Sequence, residues 1–167
     1  MSSFSPVGGK VIPQAIADTS TVQLLPLGTR VRAVDTASTA YGEGEFIYLK
    51  GATSTVVGSF VTYNQGTNVA SLLVANAIGP VATSMSINVA SSYGWYQIYG
   101  QAVGKGLAAL ADAANIYGTS TAGSVDDAIV AGDRVQNAVT TSALDTPSTG
   151  LVKVGLYYPF VNDALAD

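Results

Sequence analysis

From residue 28 onward the chain keeps a period of two in short runs, and glycine or a small polar residue cuts each run before a helix could form. "TRVRAVD" sets Arg30, Arg32 and Val34 against Val31 and Ala33. "EFIYLK" (45–50) is a β-branched and aromatic run with a glycine on either side, and "STVVGSFVTY" (54–63) carries a glycine mid-run, as at a bulge or bend. "GPVATSMSINVA" (79–90) alternates through Val81, Thr83, Met85, Ile87 and Val89. Successive side chains of a strand point to opposite faces, so this pattern writes half-buried strands. Short strands separated by Gly, Asn, Asp and Ser predict an all-β fold, a small β-barrel or β-sandwich body. "VASLLVA" (69–75) reads as a strand or a single helical turn, and Ala-rich "LAALADAAN" (107–115) is the one plausible helical turn. An echo links "GTRVRAVDTAS" at Gly28 to "GDRVQNAVTTS" at Gly132: in each, a turn glycine opens an alternating strand.

Residues 1–27 lack this period. "SSFSPVGGK" is loop chemistry, Pro13 and Pro26 punctuate the rest of the segment, and Val11, Ile12, Ile16, Val22, Leu24, Leu25 and Leu27 form an irregular apolar set. Such a segment, with no core of its own, is expected to be an extended N-terminal arm that orders on a partner or neighbouring subunit, ahead of a body at 28–167. On that expectation, removing 1–27 leaves the body folded.

The composition excludes several chemistries. Cysteine and histidine are both absent, which removes disulfides, thiolate metal sites and Cys- or His-based nucleophilic catalysis. Charged residues are 11% of the chain, against about 25% in an ordinary soluble domain, so a surface covered by other protein, or solvated by hydroxyls and amides, is expected, which favours an oligomer or assembly. Seven scattered Lys and Arg and a net charge of −4 speak against nucleic acid as a partner. No run of 18 apolar residues predicts a membrane span, and the opening residues lack the pattern of a signal peptide.

"YGWYQIYGQAVGKG" (93–106) concentrates aromatics and glycines. On a strand, Trp95, Gln97 and Tyr99 share one face while Tyr96 and Ile98 share the other. Both faces are then largely apolar, as in a strand covered by core within and by a neighbour outside. The alternative is a carbohydrate-stacking platform built on Trp95. Glu43 and Glu45 lie on one face as a carboxylate pair does, but read as solvated carboxylates of a glycine-rich turn. Asp126, Asp127 and Asp133 lack the oxygen spacing of a calcium loop. "PVGGK" (6–10) has no Ser or Thr after Lys10 and no strand before it, so it is no phosphate loop. Lys105, between glycines, reads as an exposed loop residue. No catalytic constellation, cofactor site or metal site is expected, and the protein reads as a non-enzyme.

Taken in order, "GTRVRAVDTAS", "GWYQIYGQAV", "YGTSTAGSVDDAIVAGDRVQNAVTT" and "GLVKVGLYYPFV" resemble the capsid decoration (cement) proteins of tailed bacteriophages. The likeness covers roughly residues 28–162. It implies a compact β-rich virion protein, grouped as a homotrimer on the outer surface of an icosahedral head and assembled in the host cytoplasm. The partner implied is the major capsid protein, bound where its subunits meet. Val11, Ile12, Ile16, Leu24, Leu25, Trp95, Tyr96 and Tyr99 are the candidate residues for contact with the shell or between subunits. A glycan-binding adhesin or fibre-associated module of a phage is the competing function.

Overall fold

The computed structural model describes residues 3–163. Among them are twelve β-strands and no helix. In chain order these are β1 (Phe4–Pro6), β2 (Thr19–Ser20), β3 (Arg30–Asp35), β4 (Glu43–Lys50), β5 (Phe60–Tyr63) and β6 (Ala70–Leu72). The later six are β7 (Ile78–Ser84), β8 (Tyr93–Lys105), β9 (Asn115–Gly118), β10 (Val125–Asp126), β11 (Arg134–Thr140) and β12 (Leu151–Asn162). The all-β expectation is met. The alternation in β3 is as its sequence reads, with Arg30, Arg32 and Val34 outward and Val31, Ala33 and Asp35 buried. The two echoed glycines both take left-handed backbone, Gly28 at φ +83° and Gly132 at φ +87°, and each precedes a strand that opens on Arg. "VASLLVA" resolves to β6. Residues 107–114 form turns instead of a helix. Ala109 and Ala113 sit at φ +69° and +54°, and Leu110 is the one member of this stretch in the core. Without an apolar stripe, nothing holds a right-handed helix there.

All pairings between named strands are antiparallel, in the order β1-β3-β4-β8-β7-β12-β11-β9-β10, with β2 on β8 and β5 between β6 and β7. One circuit among these pairings dictates the shape. β8 is antiparallel to β7 at Thr83↔Gln97, β7 is antiparallel to β12 at Pro80↔Phe160, and β12 is antiparallel to β8 from Leu151↔Lys105 to Tyr157↔Tyr99. Three straight strands cannot all be mutually antiparallel, so at least one of them must bend. The bends fall where the partners change: at Gly100 in β8 (φ +94°) and at Tyr158 in β12 (φ +53°). A Cβ at Gly100 would collide with the carbonyl oxygen of Glu43, so only glycine fits that corner. The sheet, open at β1 and β10, thereby folds over on itself around the core.

That folding gives β4 and β8 two buried faces. Ile47, Leu49, Tyr96 and Ile98 enter one apolar cluster, while Phe46, Tyr48 and Trp95 enter another on the opposite side. The second cluster is roofed by the N-terminal segment. Ile16 is buried within it, and Phe4, Ile12, Leu25 and Leu27 pack against it. β1 pairs with β3, and β2 pairs with β8. Asp35 fastens the same segment by accepting hydrogen bonds from Ser3 N (3.1 Å), Ala37 N (3.1 Å) and Ser38 Oγ (2.6 Å).

Gln14 is the centre of the attachment and is buried. Its Nε2 donates to the carbonyl oxygens of Asp18 (2.9 Å) and Tyr93 (2.9 Å), and its Oε1 accepts from the Tyr48 hydroxyl (2.8 Å). Its backbone carbonyl accepts from Trp95 Nε1 (3.0 Å). Residues 3–27 are thus built into the body, and the expectation of a separate arm does not describe this arrangement. The sequence could not show it, because the partners lie up to 81 residues away. Removing 1–27 would uncover Trp95 and Tyr48, so a folded remainder is no longer expected. Replacing Gln14 with Ala leaves the buried Tyr48 hydroxyl and the part-buried carbonyls of Asp18 and Tyr93 without this partner and is expected to cost about 2 kcal/mol, read as a lower urea midpoint at unchanged slope. A midpoint equal to wild type would show that the Gln14 amide does not hold the segment.

Candidate interaction surfaces

Of the residues expected to face a shell or subunit, Trp95 and Tyr96 are 0% exposed and Ile16 is 2% exposed. All three pack inside their own chain. The outer cover foreseen for this strand as a neighbouring molecule is supplied instead by residues 3–27. A sugar platform on Trp95 is ruled out for the same reason, since both its ring and its N–H are enclosed. Burial also pushes the Tyr96 phenol well above its ordinary range, against hydrogen bonds from Asn88, Ser84 and Thr55. Ile12, Leu25 and Tyr99 are half-buried. Val11 is 95% exposed and Leu24 is also exposed, so these two remain surface residues.

The N-terminal segment consequently has two sides. Gln14 and Ile16 point in, while Val11, Val22 and Leu24 point out. Thr19 Oγ1 donates to the Ile87 carbonyl (2.8 Å) and ties the segment to the loop after β7, where Ile87 is 63% exposed and Val89 is exposed as well. The segment and the loop it is bonded to thus both carry exposed apolar side chains.

A second surface surrounds the bend in β12, and the sequence reading missed it. Tyr157, Tyr158 and Phe160 are exposed, as is Ile78, whose strand pairs with this end of β12. The Tyr99 ring lies 5.6 Å from Tyr157 and 5.4 Å from Tyr158 between centroids. The Tyr158 hydroxyl donates to Glu45 Oε2 (2.9 Å), and Glu45 also meets Arg30 and Arg32 at 3.6 Å, while Glu43 meets Arg32 at 3.6 Å. Glu43 and Glu45 are therefore strand residues of β4 with cationic partners, not solvated turn carboxylates. A signal was available: two alternating Arg on one strand and two alternating Glu on the next are the cross-strand charge pattern of a hairpin. What the sequence could not reveal was Tyr158, which reaches this cluster from 113 residues away.

The remaining candidates are structural. Asp133 is buried and accepts from the backbone N–H of Asn76, and Asp126 accepts from Asp127 N. Among the described residues no cluster of three or more acidic side chains could hold a metal ion. Lys105 ends strand β8 and does not lie in a loop. Gly8 and Gly9, both at positive φ, form a turn after β1 that leaves Lys10 in solvent. Among the described residues no helix is long and apolar enough to cross a membrane. A cleft of about 500 Å³ lies between Tyr41, Val57, Pro147 and Leu151, with Lys153 Nζ 5.5 Å from the Tyr41 ring centroid. Two smaller hollows, about 350 and 200 Å³, flank Arg30 and Tyr63 beside the β12 bend.

No family model, curated protein or solved structure matches this chain.

The hydrogen bond to Glu45 raises the Tyr158 phenol above its ordinary value, with burial adding to the shift. A raised folded-state value favours the neutral ring, so its contribution is complete below about pH 10 and is lost as the pH climbs through the folded value. Glu45→Gln removes the negative acceptor and is expected to bring the Tyr158 transition down. Ultraviolet difference titration, with Tyr158→Phe to assign the band, measures this. An unmoved transition would break the link between β4 and the bend.

Proposed function

We propose that the protein is a structural component of a phage virion that binds the outside of the icosahedral head where major capsid subunits meet and stabilises the shell. The observation that carries this is the two-sided N-terminal segment: anchored by Gln14 and Ile16, it turns Val11, Val22 and Leu24 to solvent, and its Thr19 is bonded to the loop that exposes Ile87 and Val89. Scattered apolar residues are ordinary on a protein surface and a contiguous group marks an interaction site; on this proposal these five act as one group. The low charge and the resemblance in segment order to decoration proteins supply the class of partner. On this proposal the protein is not an enzyme, sits on the head's outer surface as a homotrimer after assembly in the host cytoplasm, and engages neither nucleic acid nor membrane.

Each copy needs a contact of ordinary size, about 1,200–2,000 Å² in total. Because the segment is already ordered on its own body, shell binding does not bear the entropy of ordering it. Many such contacts bridging neighbouring subunits resist internal pressure without any one being strong.

Val22→Ser combined with Leu24→Ser removes two apolar side chains from the outer side and none from the core. Each is worth about 1.5–3 kcal/mol when buried against a partner, so shell affinity is expected to fall at least about tenfold. Folding stability is expected to stay within about 0.5 kcal/mol of wild type. Density-gradient sedimentation from phage-infected cells, with mass spectrometry of the heavy fractions, reads the outcome. Wild-type protein migrating with the major capsid protein, and the double variant remaining light, is the expected result. Wild-type protein absent from intact heads would overturn the proposal.

A further inference from the structure

We propose that the trough beside the β12 bend binds a neutral oligosaccharide. Its two hollows are adjacent, with Arg30, Tyr63 and Gln65 lining both. The larger, about 350 Å³, extends past Gly28 to Asn68, and the smaller, about 200 Å³, ends between Pro80 and Phe160. Sites for small molecules typically span roughly 300–1,000 Å³.

The lining combines two chemistries that a sugar chain needs together. Tyr158 and Phe160 are exposed aromatic residues that line the smaller hollow, and a pyranose stacks its C–H face on such rings. Arg30, Gln65 and Asn68 supply guanidinium and amide groups whose paired donors and acceptors match neighbouring hydroxyls. Gly28 is needed for this arrangement: a Cβ there would stand 3.0 Å from both terminal atoms of the Asn68 side chain and displace it. The Tyr158 ring is held in place before any ligand arrives, by its hydrogen bond to Glu45 and its packing on Tyr99.

Charge selects among saccharides. Arg30 is already matched by Glu45 at 3.6 Å, so no uncompensated cation awaits an anionic sugar, and a neutral chain is favoured. Two hollows side by side suit a chain of more than one ring. The tyrosine end of the site lies away from the surface assigned to the shell, while its other end, at Leu27 and Gly28, begins three residues after Leu24. Thr19 meets β8 at Gly94 and the tyrosine cluster meets it at Tyr99, five residues further and about 17 Å along the strand. The inference goes beyond the shell proposal and stands or falls without it.

The test is a titration of isotope-labelled full-length protein with cellotetraose and with maltotetraose to about 10 mM, followed by amide chemical shifts. Saturable shifts at Tyr63, Gln65, Asn68 and Phe160 with either sugar are expected. Gln65→Ala, on an exposed turn where folding is not at stake, is expected to raise Kd several-fold, the worth of a lost hydrogen bond. Phe160→Ala is expected to raise it about tenfold through the lost ring face. The Val22→Ser, Leu24→Ser double variant is expected to titrate like wild type, so shell attachment and saccharide binding fail separately. Unmoved trough amides with both sugars would overturn the proposal. So would shifts produced only by a proline-rich peptide, which the Tyr and Pro walls would also admit, or a Kd unchanged by both substitutions.

Discussion

The structure depends on a pair of strands with no solvent side. β4 and β8 put Ile47, Leu49, Tyr96 and Ile98 into one cluster and Phe46, Tyr48 and Trp95 into another, so each face needs its own cover. The folded-over sheet covers the first. The N-terminal segment, with Met85 beside it, covers the second, and an irregular segment cannot roof an apolar cluster without satisfying its own backbone. Gln14 resolves this by satisfying carbonyls at Asp18 and Tyr93, the Tyr48 hydroxyl and the Trp95 indole from a single position. Burying one amide with every bond made is inexpensive, whereas leaving the indole N–H unpaired beneath a purely apolar roof would not be.

The other constraint is the circuit of β7, β8 and β12. Its bends at Gly100 and Tyr158 close the sheet over the core and set the outer surface at the same time. Straight β12 would continue its alternation and bury every second aromatic. The left-handed residue interrupts that alternation, so Tyr157 and Tyr158 both emerge, and Tyr158 meets the Glu45 carboxylate on the far strand. Shape and surface chemistry have one origin here. The surface ion pairs at 3.6 Å contribute little stability by themselves, and their effect is to hold a ring in one orientation.

Legibility in the sequence tracked distance along the chain. β3 was readable because its alternation is local, and Gly28 and Gly132 were readable as turns because a left-handed residue at a strand entrance is nearly always glycine. The two buried faces at 93–99 were also readable, from aromatics on both parities. Which molecule covers them was not, since a strand that wants a neighbour looks the same whether that neighbour is another subunit or its own N-terminus. Residues 107–115 offered a helical turn by alanine's propensity alone, but only Leu110 of that stretch reaches the core, and the all-β reading holds there too. The trough was illegible altogether, assembled as it is from β3, the turn at Gln65 and the end of β12.

A segment fixed from within and apolar without gives a protein that can meet a large, flat partner already shaped for it. That property depends on residues 3–27 being docked in the free protein, before any partner is present. The most direct measurement is the hydrogen-exchange rate of the Trp95 indole N–H in the isolated protein. A docked segment predicts exchange only through global unfolding, with a protection free energy equal to that from denaturant titration. An indole exchanging rapidly in the folded protein would mean that the roof is open, and the N-terminal segment would then be a free arm after all.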